Sequence, residues 1–182
     1  MSGTQHLEAL TRAVTEKLSG GQVVKIRPLE RGDIELQRQF LSALSPDALH
    51  FRFHAGIGKP SQKMLEQLTD IDHAEREAFI ALIDGEGGET AIGESRYALD
   101  PDGESGECAV VVTDAWQRQG LGTLLLNRLI ESARARGIAR LYSMDAADNL
   151  ALNAFAQKHG WECHYDPDDH TQVIYSLDLT AG

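Results

Sequence analysis

The sequence predicts one α/β domain, an α+β mixed sheet flanked by helices in the order β-α-α-β-β-β-α-β-α-β-β. Three observations lead there. Strand-patterned and helix-patterned segments succeed one another along 182 residues with no internal repeat and no low-complexity linker. A β-branched run, Val110-Val111-Val112, passes through a glycine-bearing turn directly into a helical pattern. Hydrophobic residues make up 42% of the chain and charged residues 25%, the balance of a protein that can bury a full core.

Leu7, Leu10, Val14 and Leu18 stand at helical spacing. Residues 1–21 therefore read as an accessory helix stopped by Ser19-Gly20-Gly21, ahead of a domain spanning 22–182. Gln22 to Pro28 alternate as a first strand. Asp33 offers an N-cap for a helix carrying Leu36, Phe40 and Leu44, Ser45-Pro46 starts a short further turn, and Ser61 opens a helix carrying Met64, Leu65 and Leu68. AFIALID (78–84) and TAIGESRYAL (90–99) are strands around a GEGGE hairpin turn. Asp100-Pro101-Asp102-Gly103 is a turn signal before the strand 104–112. Beyond it Leu121, Leu124, Leu125, Leu129 and Ala133 mark one helix face, with Gly137 as the C′ residue. Residues 139–144 form a short parallel-type strand, and Asn149 starts a helix through Leu152, Phe155 and Ala156 that ends at Gly160. A final pair of strands, 161–165 and 172–179, flanks a DPDD turn.

Chemistry concentrates in the stretch VVVTDAWQRQGLG (110–122), whose valines have the composition of a strand buried on both faces. The first amides of a helix lack intrahelical acceptors, and the helix dipole favours negative charge beside them. Glycine at 120 and 122 removes the side chains that would hold a phosphate away from those amides. The turn therefore asks for a phosphate or pyrophosphate. A Walker loop is excluded, because Thr123-Leu124 follows Gly122 where Lys-Ser/Thr is required. A dinucleotide fingerprint is excluded too, because Leu125 stands at its third glycine. What remains is Q-x-x-G-x-G after a valine strand.

The net charge of −11 argues against a general nucleic-acid binder, which needs a basic face for phosphates. Arg128, Arg134, Arg136 and Arg140 gather in and after the central helix, either to meet the far end of a phosphorylated ligand or as a solvated face. Cys108 and Cys163 have no CxxC spacing, and the histidines have no metal-ligand spacing, so reduced, buried thiols and no metal are expected. The amino terminus lacks a basic region followed by an apolar one, and no apolar run reaches membrane-spanning length; the expectation is a cytoplasmic protein with no membrane partner.

With that turn and strand the chain resembles the GNAT superfamily of N-acetyltransferases. The segments LSPDALHFRF (44–53), LTDIDHAEREAFIAL (68–82), GECAVVVTDAWQRQGLGTLLL (106–126) and ARARGIARL (133–141) resemble the acetyltransferase domain of bacterial Pat-type protein-lysine acetyltransferases. The resemblance implies a GNAT-type domain with splayed central strands. It implies acetyl-CoA as co-substrate, no metal, and an amine acceptor, in that group a protein lysine. Monomer and homodimer both stay open.

Acetyl transfer from a thioester to an amine needs a base, because a lysine of pKa ~10.4 is almost wholly ammonium at neutral pH. It also needs donors for the developing oxyanion and a tolerable leaving thiolate. Glu107 lies on the strand feeding the turn, where alternation can send its carboxylate into a cleft; Glu104 would take its place if a bulge shifted the alternation. In Pat-like domains a glutamate at the position of Glu107 serves as general base. The resemblance further implies that the backbone of Val110, Val111 and Val112 pairs with the pantetheine arm. Gln117, Arg118, Gln119, Gly120, Leu121, Gly122 and Thr123 would contact the pyrophosphate, Arg118 being equally readable as a solvated charge. Asn149 matches an asparagine beside the pantetheine and reads also as a helix cap. Many relatives carry a tyrosine acid seven residues after it, but here that position is Ala156, with Tyr142 and Tyr165 as conceivable substitutes. His73 is either a lining residue of the acceptor site or an exposed loop histidine, and Phe51, Phe53, Trp116 and Trp161 are core or cleft-wall aromatics.

Overall fold

Apolar residues on both faces of Arg76–Gly85 make that strand (β3) the middle of the protein. Ala78, Ile80 and Leu82 point to one side and Phe79 and Ala81 to the other, and all five are buried. The computed structural model describes residues 9–53 and 59–180. Among them β3 is joined by Val14–Lys17 (β1), Val23–Pro28 (β2), Gly88–Leu99 (β4), Ser105–Val112 (β5), Arg140–Ala146 (β6), Glu162–Tyr165 (β7) and Gln172–Asp178 (β8). They form one mixed sheet in the order β1-β2-β3-β4-β5-β6-β8-β7, the α/β architecture expected. Helices Ile34–Ala43 (α1), Pro46–Phe53 (α2) and Gln62–Thr69 (α3) cover one face, where Phe40, Leu41 and Leu65 pack on Ile80 and Leu82. Leu121–Ala135 (α4) covers the other, seating Leu121, Leu125 and Leu129 on Phe79, Ala81 and Ile92. Each such leucine, fully buried, contributes roughly 1.5–3 kcal/mol of transfer free energy. Leu150–Lys158 (α5) packs near the β7–β8 end, with Ala156 against Val173 and Tyr175.

The amino-terminal expectation needs correction. Val14 to Lys17 is a strand, paired antiparallel with β2 from Val14↔Ile26 to Lys17↔Val23. Leu18 N–H donates to Gln22 O and Gly21 N–H to Leu18 O, so Ser19-Gly20-Gly21 closes a hairpin rather than a helix. The physical reason is that a separation of four residues suits a strand face as well as a helix face, so Val14 and Leu18 satisfy both periods. Leu7 and the rest of residues 1–8 lie outside the described residues, as does His54.

Two helix starts also differ. Asp33 does not cap α1 with its side chain; it accepts from Glu30 N–H (2.8 Å) and from the guanidinium of Arg27 (2.7 and 2.8 Å). Ser45 opens a full helix, α2, not a short turn, and its Oγ accepts from Ala48 N–H at 3.3 Å. Ser61 caps α3 as expected, accepting from Met64 N–H at 3.2 Å.

One departure from regularity places everything that follows. β5 runs parallel to β6 for only three pairs, Ser105↔Arg140, Gly106↔Leu141 and Glu107↔Tyr142. Beyond Glu107 the two strands part: β5 continues on β4 as far as Val112, and β6 continues on β8 as far as Ala146. Val110, Val111 and Val112 are therefore half-buried, not buried on both faces, because no neighbouring strand covers one edge.

Candidate active site

The parting of β5 and β6 opens a cleft of about 970 Å³. Ala109 to Val112 form one wall and Ser143, Met144 and Asp145 the other. Glu107 stands at the vertex, the last residue of β5 to pair with β6. On the far side of the vertex the main chain of β5 is left without a strand partner along the cleft edge.

The turn closes one end of this cleft. Left-handed backbone recurs at Arg118 (φ 57°) and Gly120 (φ 91°), a pattern that turns amides toward a common side. Glycine suits position 120 because a side chain there would be strained. Leu124 N–H makes the first helical bond, to Gly120 O at 3.1 Å; the amides of Leu121, Gly122 and Thr123 come before it and find no acceptor among the described residues. Gly122 is a different case. A Cβ there would meet Phe155 at 3.6 Å and Val112 at 3.9 Å, ordinary contacts, so the fold itself does not require glycine. Gln117 Nε2 donates to Val112 O at 3.0 Å and holds the turn against the end of β5.

Alternation divides the cleft into two sides. Ala98↔Glu107, Arg96↔Ala109 and Glu94↔Val111 are opposed across β4 and β5, so Glu107, Ala109 and Val111 share the face of Glu94 and Arg96. That face carries α1 to α3. Cys108, Val110 and Val112 share the opposite face with Ser95 and Tyr97, under α4, where Ser95 Oγ donates to Leu125 O at 3.0 Å. Opposite Val111 the Glu94 carboxylate is buried and accepts from Arg96 Nε at 2.5 Å, while Arg96 Nη1 reaches Leu68 O at 3.3 Å. Burial alone would raise Glu94, but the charges of Arg96 and Arg52 and a bond from Gln37 outweigh it and hold the carboxyl below its ordinary value. Arg52, on α2, lines the cleft and lies over the Phe53 ring at 4.7 Å. Burial, with the nearby charge of Arg96, draws it down to about 10 against the opposing pull of Glu94 and Glu107.

Glu107, Val110, Val111, Val112, Gln117, Arg118, Gly120, Gly122, Thr123 and Asn149 all line this cleft. Gln119 and Leu121 do not. Gln119 turns its amide to Ala115 O (3.0 Å), and the Leu121 side chain belongs to the core. Glu104 stands outside, its carbonyl taken by Ala139 N–H and Arg140 N–H, so the alternation needs no shift. Asn149 is a cap: Oδ1 accepts from Leu152 N–H (3.1 Å), and Nδ2 donates to Asp145 Oδ2 (3.2 Å), tying α5 to β6. Thr123 Oγ1 is 3.1 Å from His159 Nε2, a partner no spacing indicated.

Several expectations fall away from the cleft. Arg128 donates to the carbonyls of Ala9, Leu10 and Arg12, and Arg136 to Glu77 Oε2, so both serve the fold. His73 Nδ1 lies 2.7 Å from Glu77 Oε1, away from the cleft. Tyr142 donates to Asp100 Oδ1 at 2.9 Å, and burial with that bond pushes it up to about 12; Tyr165 is exposed beside β8. Trp116 and Trp161 pack on the core, while Phe53 packs on the core and also lines the cleft, as expected of a cleft-wall aromatic. Cys108 is buried as expected and its thiol is pushed far up, first by burial and then by Glu107, and stays protonated; Cys163, expected to be buried too, is exposed because every residue of the short edge strand β7 is. No helix among the described residues is long and apolar enough to cross a membrane.

The acetyltransferase (GNAT) family model matches residues 43–161. The chain is 42% identical over 164 residues to an acetyltransferase of Pseudomonas aeruginosa, covering 90% of this chain and 88% of that one. It is 27% identical over 157 residues to the acetyltransferase Pat of Mycolicibacterium smegmatis, spanning 86% of this chain and 46% of that one. Among solved structures, the GNAT domain of S. lividans PAT superposes with a TM-score of 0.82 at 24% identity, over 91% of this chain and 96% of that domain.

Proposed function

This chain belongs to the GNAT family of acetyltransferases, and we propose that it transfers an acetyl group from acetyl-CoA directly to a primary amine, a protein lysine in the first instance, with Glu107 as general base. The observation that carries the reading is the position of Glu107 at the vertex where β5 and β6 part. The diphosphate turn, the unpaired edge of β5 and a carboxylate open into one cleft there.

The residues present suit the cofactor. The unpartnered amides of Leu121, Gly122 and Thr123 fit a diphosphate, with Arg118 and Lys158 lining the same cleft as counter-charges. The free edge of β5 fits an extended pantetheine amide chain, as a strand would. When bound, acetyl-CoA supplies an activated acyl thioester. Glu107 takes the proton from the acceptor's ammonium, directly or across a water, and a main-chain amide of the β5 edge donates to the charge that develops on the carbonyl oxygen. Cys108 is buried and protonated, which favours direct transfer over an acyl-cysteine route. Ala156 faces Val173 and Tyr175, so the CoA sulfur leaves as thiolate without a tyrosine acid from this helix.

The test is incubation with labelled acetyl-CoA and host lysate, and separately with free polyamines and amino acids, while thiol release is followed. Label mapping to protein lysines supports the proposal. Label confined to small amines moves the acceptor class. Tight acetyl-CoA binding with no thiol release from any amine would make the protein a CoA-binding sensor instead.

A further inference from the structure

Three cations line the cleft among the described residues: Arg118, Lys158 and Arg52. The first two stand at the turn and on α5. Arg52 stands on α2, on the face of the sheet that carries Glu107 and Val111. Gly122 lies beside Val112, which alternation places on the other face. The start of α2 meets the turn, where Ser45 Oγ donates to Asp114 Oδ1 at 3.3 Å, and Arg52, seven residues further along the helix, lies close enough to Glu107 to feel its charge.

Arg52 also lacks an anion of its own. No carboxylate among the described residues comes within ion-pair distance of it, and it makes no hydrogen bond among them. Its buried neighbour Glu94 gives Oε1 to Arg96 at 2.5 Å, and Glu94 Oε2 has no hydrogen-bond partner among the described residues, Arg52 included. The Phe53 ring lies 4.7 Å from the guanidinium carbon, and both residues line the cleft. A half-buried guanidinium in that position gains from a planar anion that takes two parallel N–H bonds.

We propose that Arg52 is a specificity residue that binds a carboxylate carried by the acceptor close to its amine, while Glu107 receives the amine's proton. This rests on the acetyl-transfer reading and narrows its acceptor to a zwitterionic amine. Two sources present that chemistry, a free amino acid and a protein lysine flanked by an acidic side chain.

The experiment follows thiol release from acetyl-CoA with matched acceptor pairs that differ only in the carboxylate. Lysine is compared with cadaverine, and a lysine peptide bearing aspartate beside the lysine with one bearing alanine there. Each pair is run on the wild type, Arg52→Met, which keeps the stem over Phe53, and Arg52→Lys, which keeps the charge without the fork. The wild type should prefer the carboxylate-bearing member by about 10- to 100-fold in kcat/KM. That ratio should fall toward one in Arg52→Met and lie between in Arg52→Lys. A preference confined to the lysine–cadaverine pair identifies a free amino acid, and one confined to the peptides a flanked protein lysine; both uphold the proposal. A wild-type ratio near one in both pairs, or a ratio that survives Arg52→Met, overturns it and leaves acetyl transfer standing. Absence of thiol release with every amine overturns the acetyl-transfer reading, and this inference with it.

Discussion

The two sides of the cleft are made of different material. The diphosphate side is main chain, offered by consecutive residues between Gln117 and Thr123. The other side, proposed for the acceptor, is side chains from separate elements, Arg52 from α2 and Glu107 from β5, with the Glu94–Arg96 pair of β4 on the same face of the sheet. Main-chain donors need only a turn of the right hand and a helix behind it, and their geometry survives most side-chain changes. The acceptor side depends on every member. Remove one charge from Glu94, Arg96 or Arg52 and the other two lose compensation away from bulk water, whereas Glu107 is exposed.

Substitutions can break that contrast at either end. The largest effect is expected at the vertex: Glu107→Gln should lower kcat by about 10²–10⁴-fold with acetyl-CoA affinity nearly kept, measured by thiol release and by calorimetry. Full activity in that variant would move the base elsewhere. Next comes Glu94→Gln, which takes the carboxylate from partly buried Arg96 and should cost about 3 kcal/mol of stability in denaturant titration. Gly122→Glu should weaken acetyl-CoA binding on the order of 10²-fold by placing a like charge at the amides. Its melting temperature should stay near that of the wild type, because the space around position 122 admits a Cβ.

Acid sharpens the same contrast more gently. Burial would raise Asp33, but bonds from Arg27 and Glu30 N–H hold it below its ordinary value, and Glu94 is depressed likewise. Carboxyls depressed in the folded state contribute stability above their unfolded pKa and lose it as pH falls through the folded one. The melting temperature should therefore be flat down to about pH 5 and drop below about pH 4, with Asp33→Asn flattening that drop. A profile that Asp33→Asn leaves unchanged would assign the acid limb to other groups. The smallest effect is expected at Thr123→Val, which removes the hydroxyl shared with His159 and keeps the amides; a few-fold loss of acetyl-CoA affinity is expected.

The main-chain side was largely legible in the sequence and the side-chain side was not. Val110–Val112, Gln117, Gly120 and Gly122 lie within one local stretch, so a motif reports them together. Arg52 and Glu94 come near Glu107 only once β4 pairs with β5 and α2 packs over that face, and no spacing in the chain encodes it. The place of Glu107 in the cleft was legible because it sits on the strand that feeds the turn, while its proposed role as base rests on the resemblance. The amino-terminal strand was misread as helix for a reason of arithmetic, since spacing by four suits both periods. Arg128 and Arg136 were misjudged because composition shows a cluster of charge without showing that carbonyls and Glu77 consume it.

The three-pair zip between β5 and β6 has a further consequence for how the protein behaves among others. A bare strand edge ordinarily invites another strand and leads toward aggregation. Here the bare edge lies in the interior of the sheet and is walled by β6 and α5, so a second polypeptide strand has no lateral approach to it. Only a slender, flexible molecule threading lengthwise can use those amides. If acetyl-CoA binds as proposed, the gap works as a gauge, taking the pantetheine arm while β6 and α5 keep neighbouring chains from stacking on the same bonds.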